Sequence, residues 1–120
     1  MSRGFRLASF ADAGRGIRAL LAEPNARVQL TVTFAVVALG LWLGLGARDW
    51  ALLTLAIALV LGAEAMNTAL EALADRVAPD RHPLVAKAKD VAAGGVLIAS
   101  LAAAVLGLLV LGPPLLARLF

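Results

Sequence analysis

Glu64-Ala65-Met66-Asn67-Thr68-Ala69-Leu70-Glu71-Ala72-Leu73-Ala74-Asp75 is the stretch that decides how this chain folds. It continues, without a break, a run over residues 50–63 that carries no charge. At about 100° per residue, Glu64, Asn67, Thr68, Glu71 and Asp75 fall within an arc of about 100° on a helix. Ala65, Met66, Ala69, Ala72 and Leu73 take the opposite face. The segment therefore reads as the polar end of a membrane helix over 50–75, with three carboxylates and an amide on one side. Ionisable groups at membrane depth cost on the order of 2.5–3.5 kcal/mol each and mark function.

Two further stretches, 28–46 and 91–111, contain no charged residue at all. Each meets the roughly 20 residues that a helix needs to cross a bilayer. The polar residues of the first, Gln29, Thr31 and Thr33, sit near one end. Of the 120 residues 62% are hydrophobic, against about 45–50% in a soluble domain. A soluble fold of this size could not bury that excess. A signal peptide is not expected, because the first apolar run starts at residue 28 and is too long for one. The expected architecture is an all-α integral membrane protein in one domain, 1–120, with membrane helices over 28–46, 50–75 and 88–111. Residues 1–22 are too short and too charged to span. Phe5, Ala8, Ala13, Ile17, Leu20 and Leu21 share a broad face there, with Arg3, Arg15 and Arg18 elsewhere, as in an amphipathic helix lying on the membrane surface. Pro79 and Pro83 place a loop over 75–87, and Pro113-Pro114 is expected to end the last helix.

Basic residues set the orientation. Arg3, Arg6, Arg15, Arg18, Arg27, Arg76, Arg81, Lys87 and Lys89 lie on one side, and only Arg48 and Arg118 on the other. This predicts a multi-pass cell-membrane protein with a cytoplasmic N-terminus and an extracytoplasmic C-terminus. The net charge of +3 belongs to this belt. With aromatics at 5%, nothing supplies the stacking platforms of a nucleic-acid binder, so no nucleic-acid partner is expected.

Composition also narrows the chemistry. The chain has no Cys and one His, which removes thiolate and poly-His metal sites and cysteine nucleophiles. It has no Gly-rich phosphate loop and no nucleophile elbow. What remains is carboxylate, amide and lysine chemistry at the cytoplasmic interface. Glu64 and Asn67 lie deepest and read as functional, Glu71 reads equally as a headgroup-level charge or a site residue, and Asp75 as a solvated helix end. Glu23 stands just before the first span, and Lys87, Lys89 and Asp90 just before the third. Singly these are interfacial flanks. Beside the Glu64 stripe they compose a phosphoryl-transfer site, with hard oxygen ligands for Mg²⁺ and a lysine for phosphate. His82 reads as an exposed loop histidine, with a nucleotide contact as its second reading. Gly95, Ala99, Ala103 and Gly107, and Gly40 and Gly44, repeat every four residues and predict close helix approach and self-association.

The stretch 64–75 resembles the bacterial membrane diacylglycerol kinase signature, E-x-x-N-[ST]-A-[IL]-E-x-x-x-D. Ala88-Lys89-Asp90-Val91-Ala92-Ala93-Gly94 is similar to that family's second hallmark, and Glu23-x-Asn25-x-Arg27 to the segment before its first span. The likeness covers about residues 9–113. It implies a homotrimer of chains with one surface helix and three spans, and active sites between subunits at the cytoplasmic face. It implies MgATP-dependent phosphorylation of a membrane lipid alcohol. Glu64 would be the catalytic base, and Glu23 and Glu71 would hold Mg²⁺ and through it ATP. Asp80, Arg81, His82, Lys89 and Asp90 would lie along the nucleotide, with Asn67 and Arg27 positioning substrate. Ala93-Gly94 and the 23–27 segment look more like the Gram-positive branch, whose members prefer undecaprenol to diacylglycerol. Asp12 stands where many members carry a Tyr.

The rival reading is a small ion-coupled transporter with Glu64 as proton carrier. It predicts a carboxylate near the bilayer centre and no nucleotide requirement, whereas these carboxylates cluster at one interface. A non-catalytic assembly protein would leave the polar stripe unexplained.

Overall fold

A computed structural model describes residues 7–120 as four helices: α1 Leu7–Leu21, α2 Pro24–Leu43, α3 Ala47–Val77 and α4 Pro83–Leu119. Three of them, α2, α3 and α4, are long and apolar enough to cross a membrane, so the chain is a multi-pass membrane protein. Arg3 and Phe5, expected in the surface helix, lie outside the described residues. Within α1, Phe10, Ile17 and Leu21 are exposed on one side, and Asp12 pairs with Arg15 one turn on.

The α1–α2 corner follows from Pro24. A proline disfavours helical geometry in the residue before it and suits the first helical position. Glu23 is accordingly extended (φ −74°, ψ 136°) and Pro24 opens α2. Arg27 Nε closes the corner by donating to the carbonyl of Leu21 at 3.2 Å.

Leu43 at the end of α2, Leu53 near the start of α3, and Val110 and Leu111 late in α4 form one buried cluster. That meeting makes α3 antiparallel to both α2 and α4. Arg118 lies 4.9 Å above the Trp42 ring and ties α2 to α4 at the same end of the bundle. Toward the other end lie the two buried polar residues, Glu64 and Asn67, with Ala26 of α2 also buried there.

Gly40 in α2 and Gly44 just after it have different roles. A Cβ on Gly40 would come within 2.8 Å of the Trp50 ring, so this residue admits an α3 side chain. Gly44 faces open space; it adopts φ +69° and donates to the Gly40 carbonyl at 3.1 Å. It ends the helix in the left-handed conformation that favours glycine.

Two proline expectations are corrected. Pro83 lies at the first turn of α4, and the expected 75–87 loop shrinks to residues 78–82, since a proline in that position lacks only an N–H that no helix would use. Pro113 and Pro114 lie inside α4, which runs on to Leu119. The clash before a proline involves the preceding Cβ and N–H. Gly112 brings no Cβ and Pro113 no N–H, so this sequence removes part of each clash. α3 and α4 overrun the expected 50–75 and 88–111 at both ends, because apolar runs mark the lipid-facing part of a helix and its ends continue into charged residues; α2 starts before the expected 28 but stops at Leu43, short of 46, where Gly44 turns left-handed.

Candidate functional site

Along α3 the polar stripe passes from buried to open. Glu64 is 3% exposed and Asn67 8%, while Glu71 and Asp75, one and two turns nearer the loop, are exposed. The i, i+3 step keeps Asn67 on the Glu64 side of the helix.

The partner of this pair comes from α2. Gln29 Nε2 points at Glu64 Oε2 from 3.5 Å. That is the outer limit of a hydrogen bond. Thr33 Oγ1, one turn further along α2, donates to the Gln29 carbonyl at 2.8 Å. Two amide oxygens, Gln29 Oε1 and Asn67 Oδ1, are buried without a donor. Leaving such an acceptor unmet costs about 1–3 kcal/mol, and each case calls for an explanation. Among the described residues no cation pairs with Glu64.

A second group forms nearer the loop. Lys89 Nζ on α4 meets Asp75 Oδ1 on α3 at 2.6 Å, and Glu71 adds a longer-range attraction on the same ammonium. The pair is open to solvent, so it adds little to stability. What it fixes is place: the ammonium stands at the outer end of the carboxylate stripe. Asp75, read from sequence as a solvated helix end, is exposed yet serves as the tether of Lys89.

The other candidates are dispersed. Glu23 is exposed at the α1–α2 corner and makes no side-chain cap, so its carboxylate is not used up by the helix. Arg27 is engaged with the Leu21 carbonyl. Asp80 and Arg81 are exposed in the 78–82 loop, and Asp90 is exposed on α4. His82 Nδ1 accepts the Leu84 N–H at 3.2 Å and so caps α4. Among the described residues no three His, Asp or Glu side chains gather as a metal cage. Mg²⁺ needs no such cage, because it is held by one or two carboxylates together with waters and substrate phosphates.

Two apolar clefts lie near the Glu64–Asn67 pair, one reaching Gln29 and the other Asn67. One, of about 630 Å³, lies between α2, α3 and α4, with Gln29 and Thr33 at one end and walls such as Val36, Leu61 and Leu108. The other, about 490 Å³, lies beside Asn67 between α3 and α4, against Met66, Leu70 and Ala92. The arrangement can seat an apolar chain next to a buried carboxylate while charged groups face water a turn or two away.

Sequence reasoning placed Glu64 and Asn67 together and missed Gln29. The only signal was a glutamine sharing a helix face with Thr33 in an otherwise apolar run.

Residues 11–111 match the family profile described as prokaryotic diacylglycerol kinase. The chain is 34% identical over 108 residues to the undecaprenol kinase of Bacillus subtilis strain 168, covering 89% of this chain and 88% of that one. It is 40% identical over 112 residues to a diacylglycerol kinase of Synechocystis, covering 92% of this chain but 64% of that longer protein. It is 33% identical over 92 residues to the diacylglycerol kinase of Escherichia coli K12, covering 76% and 75% of the two chains.

Proposed function

The chain belongs to the prokaryotic diacylglycerol kinase family and is a membrane lipid kinase, and on that premise we propose that it transfers the γ-phosphate of MgATP to the hydroxyl of undecaprenol or diacylglycerol. The transporter reading falls with this membership. The observation that carries the assignment of the base is the burial of Glu64 at 3% exposure with an amide, and no cation, as its neighbour. Among the described residues the polar partner of this carboxylate is a neutral amide, so no ion pair occupies its second oxygen.

In the proposed reaction the lipid keeps its chains in an apolar cleft and presents its hydroxyl to Glu64. Glu64 takes the hydroxyl proton as the oxygen attacks the γ-phosphorus in line. The new O–P bond forms as the bond to the bridging β–γ oxygen breaks, and ADP leaves with that electron pair. Lys89 contributes positive charge to the phosphates, held near them by Asp75. Glu23 and Glu71 are the carboxylates that would hold Mg²⁺; when bound, the ion neutralises phosphate charge. Asp80, Arg81, His82 and Asp90 would border the nucleotide, and Asn67 and Arg27 would position substrate and the α1–α2 corner.

Three further features complete the proposal. The N-terminus is cytoplasmic and the C-terminus extracytoplasmic, as the nine-to-two distribution of basic residues supports. α1 rests on the membrane surface by its Phe10–Ile17–Leu21 side. The working form is a homotrimer with sites between subunits. Its support is that only 17–22% of each span's most apolar window is buried within one chain.

The test is purified protein with γ-labelled MgATP and each lipid alcohol offered in turn. Label should enter the lipid phase with at least one of them and cease in excess chelator. No transfer to either alcohol overturns the substrate assignment, and full transfer in chelator overturns the metal role.

A further inference from the structure

Gln29 is a half-buried polar side chain that this mechanism leaves without a task. It enters from α2, faces Glu64 on α3, and keeps Oε1 buried without a donor at the head of the α2–α3–α4 cleft. A buried amide with an unmet oxygen is expensive, and on a lipid-facing helix a leucine would pack at no such penalty. Something must repay the amide, and the carboxylate opposite is its one side-chain hydrogen-bond partner among the described residues.

We propose that Gln29 is a positioning residue for Glu64: its N–H holds one carboxylate oxygen and leaves the other aimed at the lipid hydroxyl. The inference rests on the reading of Glu64 as the base. A glutamate has three side-chain torsions, and apolar walls cannot choose between its rotamers by hydrogen bonding. One donor fixed on a different helix can. An amide is suited to this where a lysine or arginine is not, because it orients the carboxylate without supplying a countercharge that opposes proton uptake. The 3.5 Å separation stands at the outer limit of a hydrogen bond, and the proposed role requires it to shorten in the reacting complex. Because the donor is on α2 and the acceptor on α3, the aim of the base depends on the α2–α3 spacing.

The test is a double-mutant cycle on the full-length protein in detergent or bilayer, with kcat and KM for MgATP measured at saturating lipid alcohol. Gln29→Met keeps length and volume and removes both polar atoms. It should lower kcat about 10–100-fold, the scale of a misaimed reacting group, with KM for MgATP unchanged. In a Glu64→Gln background the same change should alter kcat by less than about 2-fold, because residues that act through one another are not additive. Gln29→Asn keeps an amide one carbon too short to reach, and should show the same kcat loss, which keeps the test open if the methionine variant folds poorly. Full turnover in either single variant overturns the proposal. So does an equal loss in both backgrounds, which would make Gln29 a packing residue. If Glu64→Gln alone retains full turnover, the underlying assignment of the base fails, and the two failures are thereby distinguished.

Discussion

Replacing Glu64 by Gln should make the protein more stable and nearly inactive, and the opposite signs are the point of the experiment. The side chain is 3% exposed, so the replacement must fit the same space, and glutamine does. Its amide oxygen can still accept from Gln29 Nε2, the contact now at 3.5 Å. What is removed is a buried carboxyl group that has no cationic partner among the described residues. Placing a carboxylate at membrane depth costs on the order of 2.5–3.5 kcal/mol, and relief of even a third of that raises the melting point measurably. Catalysis moves the other way. Loss of a general base lowers kcat by roughly 10²–10⁴, which is about 2.7–5.4 kcal/mol in the barrier at 1.36 kcal/mol per decade. The assay pairs label transfer to lipid alcohol with thermal unfolding in the same detergent, and MgATP affinity as a third reading that should stay put. A variant that is both less stable and less active would mean that Glu64 holds the bundle together. A variant with near-normal kcat would remove it as the base.

The remaining predictions address the outer site and the fold. Glu71→Gln should weaken MgATP binding and be partly rescued by high Mg²⁺, read by nucleotide titration at two metal concentrations; unchanged affinity removes Glu71 from the metal site. Lys89→Met should raise KM for MgATP while leaving the melting point nearly unchanged, since its bond to Asp75 is solvent-exposed and such pairs are worth little. Gly40→Val should destabilise by about 1–3 kcal/mol as an overpacked contact, because even its first carbon would meet the Trp50 ring at 2.8 Å. Gly62→Ala, whose Cβ meets nothing within 4 Å, should instead stabilise α3 by about 0.5–1 kcal/mol; both are measured by thermal unfolding.

What the sequence discloses and what it conceals divide along a physical line. The three spans were legible because charge is excluded from hydrocarbon, and that exclusion is written residue by residue. Glu64 and Asn67 were legible together because the 3.6-residue period fixes which side chains of one helix share a face. Gln29 was not legible as their neighbour, because the rotation of α2 about its own axis is set by contacts such as Gly40 against Trp50, which no local pattern encodes. The Lys89–Asp75 bond was hidden for the same reason: its two ends lie on different helices, fourteen positions apart. The proline expectations failed differently. Pro83 and the Pro113–Pro114 pair were treated as breakers by residue type, when position in the helix and the identity of Gly112 decide what a proline does. Chemistry that acts within one helix can thus be read from the chain, and chemistry that acts between helices needs their packing. A base on α3 aimed by an amide on α2 belongs to the second kind, so movement of α2 against α3 changes the geometry of the base without altering any residue at the nucleotide.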